Sequence, residues 1–197
     1  MNEMTKILSH EAMAILNIPT GYPYPEVVDL IHLHAHKMIG KVVTTGIGKA
    51  GEIARSIATT LSSTGTPAVY LHPAEAQHGD LGVLQPYDLL LAVSNSGKTR
   101  EVLELVYLAK VLRPELPLVV ITGDLSSELA EQAKYAIPTG SPKEVCPLGV
   151  TPTTSTTVMS VIGDILVVLL MKKIKFTKAE YAKRHHGGYI GEILTSP

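Results

Sequence analysis

Three hydroxyls, a carboxamide and a carboxylate stand within eight consecutive residues, Ser94-Asn95-Ser96-Gly97-Lys98-Thr99-Arg100-Glu101. An apolar run over 88–93 precedes them, and an amphipathic run, 102–108, follows. That order reads as strand, hydroxyl-rich turn and helix. A helix start presents unpaired backbone N–H groups, which together with Ser94, Asn95, Ser96 and Thr99 make a socket for a phosphate. Glu101, in the first turn of that helix, adds a group able to move a proton. Capping alone accounts for one such residue. Four polar side chains around one glycine, at the carboxyl end of a central strand, point to a bound ligand. The chemistry implied is proton transfer on a phosphorylated metabolite.

Gly46-Ile47-Gly48-Lys49-Ala50-Gly51 forms a second glycine-rich turn. Its spacing matches the dinucleotide pattern G-x-G-x-x-G, which also needs an acidic residue about 20 positions further on. The next strand ends in Tyr70-Leu71-His72 instead. A P-loop fails too, because Val43 replaces its first glycine and Ala50 its hydroxyl residue. What remains is a turn that lets the backbone at Gly48 approach a ligand, with Lys49 beside it. A cation at a helix start opposes the helix dipole, which argues for a functional lysine.

The segment 72–80 is dense in polar residues, and an exposed helical turn explains most of it. Glu75 and His78 fall at i, i+3 and share a face, and His78 is a candidate for the site. Lys143-Glu144-Val145-Cys146-Pro147 and Pro152-Thr153-Thr154-Ser155-Thr156-Thr157 belong to a long loop, 138–154, and the helix start after it. Long loops in compact domains are often functional, although helix capping explains part of the Thr/Ser cluster. Glu144 and Thr153 are the candidates there. Cys146, beside Pro147, has nothing evident to activate it and is expected to be inert. Of His32, His34 and His36 only the first and last share a helical face, and no Glu or Cys nearby completes a ligand set, so no metal is expected. His185-His186, followed by Gly187-Gly188, is a polar pair at a glycine-rich turn that can reach into another site.

The 197 residues suffice for one α/β domain with a sizeable aliphatic core, since Trp is absent and Phe occurs once. The formal net charge of −1 gives no support for nucleic acid as a partner. A single cysteine excludes an intrachain disulfide and fits a reducing cytoplasm. The longest apolar run, 165–171, is too short for a bilayer, so no membrane partner is expected. Helices are expected over 3–16 and from Pro25 to about 38, the second closed by Gly40. Strands then alternate with helices: strands at 41–45, 67–71, 88–93, 117–121 and 134–137, helices at about 49–62, 99–112 and 125–132. This order predicts a three-layer αβα sandwich around a mainly parallel five-stranded sheet. A long apolar helix, 155–172, is expected to be buried, and a short helix begins at Thr177.

These pieces resemble the sugar isomerase (SIS) domain, and within it the arabinose 5-phosphate isomerases. The resemblance is carried by Gly46-Ile47-Gly48-Lys49, Ser63-Thr64-Gly65-Thr66-Pro67, 72–76, His78-Gly79-Asp80-Leu81-Gly82, Ser94-Asn95-Ser96-Gly97, Lys143-Glu144, Cys146-Pro147-Leu148-Gly149, 152–157 and His185. It implies a flavodoxin-like, Rossmann-like SIS fold over residues 1–197, with a lead-in at 1–24 and the core and tail at 25–197. It implies interconversion of ribulose 5-phosphate and arabinose 5-phosphate, the first step towards the eight-carbon acid sugar Kdo of lipopolysaccharide and capsule. Lys49, Glu101, Glu144 and His185 fall on the family's proposed catalytic positions, and Ser94, Ser96 and Thr99 on its phosphate grip. No cofactor is implied. Members are typically homotetramers in which the histidine equivalent to His185 approaches a neighbour's site. Two departures stand out. Many relatives carry a pair of CBS domains after this domain, whereas this sequence stops at Pro197. His186 stands where relatives often have Pro, and His185 is favoured as the acting histidine. The pathway product CMP-Kdo is a candidate feedback ligand. Isomerisation of another sugar phosphate, or non-catalytic sensing of a sugar phosphate or nucleotide sugar, are the alternative readings.

Overall fold

The computed structural model describes residues 2–186. Gly187 and Gly188 lie outside the described residues. Strands β1 (Val42–Thr45), β2 (Ala68–Tyr70), β3 (Leu89–Val93), β4 (Leu118–Thr122) and β5 (Tyr135–Pro138) form one sheet in the order β2-β1-β3-β4-β5. Every pairing is parallel. The helices are α1 (Glu3–Leu16), α2 (Tyr24–His32), α3 (Gly48–Ser63), α4 (Pro73–Ala76), α5 (Arg100–Leu112), α6 (Glu128–Glu131), α7 (Thr154–Lys173) and α8 (Lys178–Ala182).

Strand β3 shows why the sheet is covered twice. Leu89, Leu91 and Val93 enter one apolar cluster with residues of α2, α3 and α7. Leu90 and Ala92, on the alternate face, enter another with Val102, Leu105, Val106 and Ala109 of α5. A strand with apolar side chains on both faces is stable only between two helical layers. Helix α7 reaches, over its whole 20 residues, the length and hydropathy of a membrane span, which counting the continuous run 165–171 does not reveal. Its apolarity is used inside the fold: Val158, Met159, Ile162, Leu166 and Leu170 are all buried against the helices of the first layer.

Two expected elements end elsewhere. The second helix is α-helical only to His32 and continues as a π turn over Leu33–Lys37. His34 Nδ1 bonds the carbonyl of Tyr87 at 2.8 Å, and Gly40 N donates to His34 O at 2.9 Å. Ile39, with φ 60°, takes the left-handed position in place of Gly40. The helix at 125–132 contracts to α6 because Asp124 Oδ1 accepts from the amide and hydroxyl of Ser126, which makes 124–127 a turn. At the lower end of the sheet, buried Asp88 accepts from Lys41 N at 2.9 Å, Lys41 Nζ at 2.6 Å and Gln85 N at 2.8 Å. That carboxylate ties the entries of β1 and β3 together.

His32 and His36 stack with ring centroids 5.6 Å apart. For His32, burial and then Lys37 and Lys173 hold the imidazole below its ordinary 6.5, against a smaller opposite pull from Asp29. For His36 the causes are burial, then His32 and Lys37. Both folded-state values are lowered, so the folded chain binds fewer protons here than the unfolded one. Their stabilising contribution is complete above the ordinary imidazole value and is lost as pH falls through the lowered values. Urea unfolding is therefore expected to show stability declining below pH 6.5, with a shallower decline in His36→Asn. Equal slopes in the two proteins contradict this assignment.

Candidate active site

The strand order reverses between β1 and β3, because the chain leaves β1 for β2 on one side and returns to β3 on the other. Parallel sheets open a crevice at the carboxyl ends of such a pair. Here the crevice is a cleft of about 300 Å³ lined by residues of three segments: Ile47, Lys49 and Ala50 after β1; Val93, Ser94, Asn95, Ser96 and Thr99 after β3; and Pro152, Ser155, Thr156 and Met159 at the start of α7.

Helix starts supply its polarity. Away from the cleft, α1, α4, α6 and α8 are capped by the side chains of Asn2, His72, Ser127 and Thr177. Helices α3, α5 and α7 begin at the cleft, and the residue before each makes no side-chain cap. Helix α2, which opens on Pro23 and Pro25, is the remaining uncapped start. At α5 the cap is diverted: the Thr99 hydroxyl meets Ser94 Oγ at 3.1 Å, and Ser94 Oγ accepts from Gly97 N at 3.2 Å. The amides of Arg100 and Glu101 find no acceptor among the described residues. Gly97, at φ 62°, makes the turn where a Cβ would collide with Ser127. The Ser96 hydroxyl accepts from Lys98 N at 3.2 Å, and the Lys98 ammonium pairs with Asp124 at 3.1 Å, away from the socket. The result is a set of hydroxyls and amides aimed at one point and a positive helix end behind them.

The glycines of the first turn have packing roles. A Cβ on Gly51 would collide with the Gly46 carbonyl, and one on Gly46 would crowd the carbonyls of Val93 and Ala50. The Tyr70 hydroxyl donates to Gly46 O at 2.7 Å, so the residue at the end of β2 fastens this turn where a dinucleotide site would carry an acid. Gly48 opens α3 at φ 60° and is exposed, and Lys49 beside it is exposed at the cleft wall.

Glu144 belongs to the start of α7. Its Oε2 accepts from Thr153 N at 2.7 Å, Thr153 Oγ1 at 3.0 Å and Ser155 N at 3.2 Å. Burial pushes this carboxyl up, but the donors of Ser155 and Thr153 together outweigh it and hold the group below the ordinary carboxylate value. Oε1 has no hydrogen-bond partner among the described residues, and Glu144 is half-buried behind the start of α7 and does not itself line the cleft. Thr153 thus holds Glu144 rather than lining the cleft. Ser155 and Thr156 line it instead, and residue order alone gave no reason to prefer them. The Ser155 hydroxyl is buried, stands beside Glu144, and makes no bond of standard geometry among the described residues.

The remaining expected residues do not line the cleft. Glu101 is the second residue of α5, half-buried, and does not line the cleft. His78 is exposed beyond α4. His185 follows α8, stacks on Tyr181 with centroids 3.9 Å apart, and bonds Tyr181 O at 3.1 Å. Its neighbour Arg184 lies with Arg55 and Tyr70 along β2, at the edge of the sheet. Cys146 lies in the loop before α7. Burial raises its thiol, but Thr151 and the amides of Val150 and Leu148 outweigh that and lower it, with Thr151 N at 3.1 Å from Sγ. Among the described residues no group of three or more His, Cys, Asp or Glu is placed to hold a metal.

A family model described as the SIS domain matches residues 38–169. The chain belongs to the SIS domain family. Among curated SIS relatives, the arabinose 5-phosphate isomerase KdsD of Escherichia coli K12 is 46% identical over 155 residues, which cover 79% of this chain and 47% of the relative. The chain spans about half the length of the curated relatives it matches. A Bacteroides fragilis protein, whose name proposes a phosphosugar isomerase involved in capsule formation, is 59% identical with a TM-score of 0.93, over 94% of this chain and 97% of that one. An Escherichia coli CFT073 protein solved in complex with arabinose 5-phosphate is 34% identical with a TM-score of 0.81, over 94% of this chain and 100% of that one.

The uncapped start of α5 gives effects of opposite sign on stability and binding. Thr99→Asp places a good cap acceptor on the free amides and a negative charge in the socket. Stability should rise by about 0.5–1 kcal/mol. Affinity for a sugar phosphate should fall roughly tenfold to a hundredfold, since a hydrogen bond to a charged group contributes about 1.5–3 kcal/mol. Chemical denaturation and calorimetry measure the two effects, and unchanged affinity contradicts the assignment of the socket.

Proposed function

We propose that this chain is an aldose–ketose isomerase that interconverts D-arabinose 5-phosphate and D-ribulose 5-phosphate, an intramolecular oxidoreduction that supplies Kdo synthesis in the cytoplasm. The observation that carries the reading is the placement of an anion socket, at the start of α5, across one small cleft from Lys49 and the Glu144 region. A metabolite held there by its phosphate extends its other end towards a cation and an ionised carboxylate. The KdsD relatives and the neighbour solved with arabinose 5-phosphate support the choice of a five-carbon sugar phosphate.

In the forward direction a base removes the proton from C2 of the open-chain aldose. The electron pair moves into the C1–C2 bond and the carbonyl oxygen becomes an enediolate oxygen. Transfer of the C2 hydroxyl proton to the C1 oxygen and return of a proton to C1 give the ketose. Glu144 fits the base, because its anchored Oε2 fixes the carboxylate and its free Oε1 accepts the proton. The Lys49 ammonium opposes the charge that grows on the enediolate. Glu101 enters the scheme as the second carboxylate through the family resemblance, as the group that would pass protons between the two oxygens, although it lies off the cleft wall in this structure. Ser94, Asn95, Ser96 and Thr99 hold the phosphate with the backbone of the turn, Gly48 lets the sugar approach, and Ser155 offers its unpartnered hydroxyl. His78 and Thr153 fall to the edge of this scheme. His185, remote from the cleft residues of its own chain, acts in ring opening on a neighbouring copy in a homotetramer. CMP-Kdo, the product of the pathway, is a ligand to be tested as an inhibitor in the same assay.

Incubation with ribulose 5-phosphate in deuterium oxide tests the reading. Arabinose 5-phosphate carrying deuterium at C2 is the expected product. Glu144→Gln should lower kcat by about a hundredfold to ten-thousandfold, the usual contribution of a positioned acid or base. A panel of other ketose phosphates runs in parallel. Turnover of a hexulose phosphate in preference to the pentulose, or full activity in Glu144→Gln, overturns the substrate or the base respectively.

A further inference from the structure

The residues on either side of Glu144 are both held by α1, a helix that lies outside the stretch matched by the SIS family model. On one side, His10 Nε2 bonds the carbonyl of Lys143 at 2.7 Å. A carbonyl only accepts, so Nε2 carries the proton. On the other side, Val145 N donates to Thr154 Oγ1 at 3.2 Å, and the same hydroxyl donates to Glu11 Oε1 at 2.7 Å. The direction of that relay is fixed. An amide must donate, so the Thr154 proton is directed to Glu11. Thr154 is fully buried, and it is the first residue of α7, between the two residues whose amides grip Glu144 Oε2.

Glu11 is costly where it stands. Its second oxygen, Oε2, is buried with no partner among the described residues. The residue is half-buried, but shielding that oxygen from water without a hydrogen-bond partner lowers stability. The bonded oxygen does one thing: it orients the Thr154 hydroxyl towards Val145. We infer that Glu11 is a positioning residue for the reaction, fixing Glu144 through Thr154 and the Val145 amide, with His10 steadying the other flank. Helix α1 is then a functional part of the site, although neither Glu11 nor His10 lines the cleft. The inference rests on the base role proposed for Glu144.

Three variants of the full chain test it: Glu11→Ala, Glu11→Gln and Thr154→Val. Alanine removes the acceptor. Glutamine keeps a carbonyl oxygen for the Thr154 hydroxyl. Valine keeps the shape of Thr154 and removes its hydroxyl, which serves if the alanine variant fails to fold. In Glu11→Ala and Thr154→Val, kcat should fall about tenfold to a hundredfold with KM within about threefold of the parent, while Glu11→Gln should retain most of kcat. In the Glu144→Gln background the Glu11→Ala loss should vanish, because the positioned group is gone. Hydrogen exchange gives a readout free of turnover: the Val145 amide should lose protection in Glu11→Ala and keep it in Glu11→Gln. A loss in the glutamine variant as large as in the alanine variant overturns the relay. So does a rise in KM alone, or a Val145 amide unaffected by alanine. If Glu144→Gln is fully active while the Val145 amide responds as stated, the relay stands as structure, and it is the base assignment that fails.

Discussion

A diverted hydroxyl is the interaction on which the rest of the site depends. Thr99 precedes α5 and has the side chain to cap it, yet its oxygen bonds Ser94. The first amides of α5 therefore stay unpaired among the described residues. Leaving donors open at a helix start forgoes about 0.5–2 kcal/mol that a cap would contribute, and in the proposed function the substrate's phosphate recovers it. The same economy recurs in a different form at α7, whose start is satisfied by Glu144 from a preceding loop. One helix end is the proposed seat of the ligand's charge and the other holds the chain's own carboxylate. The parallel sheet makes this arrangement possible, because every helix that follows a strand begins at the same edge.

The sheet also explains why the core is built as it is. Strand β3 is apolar on both faces, and its carboxyl end delivers Ser94 and its neighbours to the cleft. Helix α7 buries one face along its length and delivers Ser155 and Thr156 from the opposite wall. Rigid packing thus sits directly beneath the polar groups. Lys41 and Asp88 fasten β1 and β3 at the far end of the sheet, so the two strands whose upper ends form the cleft cannot slide independently.

Much of this was legible in residue order. The alternation of apolar runs and amphipathic stretches located all five strands within a residue or two, and the hydroxyl-rich turn after 88–93 marked one cleft wall. What escaped was set by distant contacts. The π turn after His32 depends on the Tyr87 carbonyl, and nothing near His34 announces that partner. The roles of Thr153 and Ser155 were indistinguishable in a run of hydroxyl residues, since which of them faces Glu144 depends on how α7 is docked. Glu11 stood in an ordinary amphipathic helix, where a carboxylate reads as solvent-facing. Glycine spacing at 46–51 matches a nucleotide motif, but the missing acid already argued against it in the sequence, and close packing under Tyr70 accounts for it.

The most direct test of the account is site-resolved amide exchange at Arg100 and Glu101, with and without arabinose 5-phosphate. Both amides should exchange freely in the unliganded protein and become protected when the sugar phosphate binds, with the amides of solvent-facing α8 unchanged. Saturating sugar phosphate that leaves Arg100 and Glu101 unprotected, in a protein that turns the sugar over, would place the phosphate elsewhere and remove the foundation of the account.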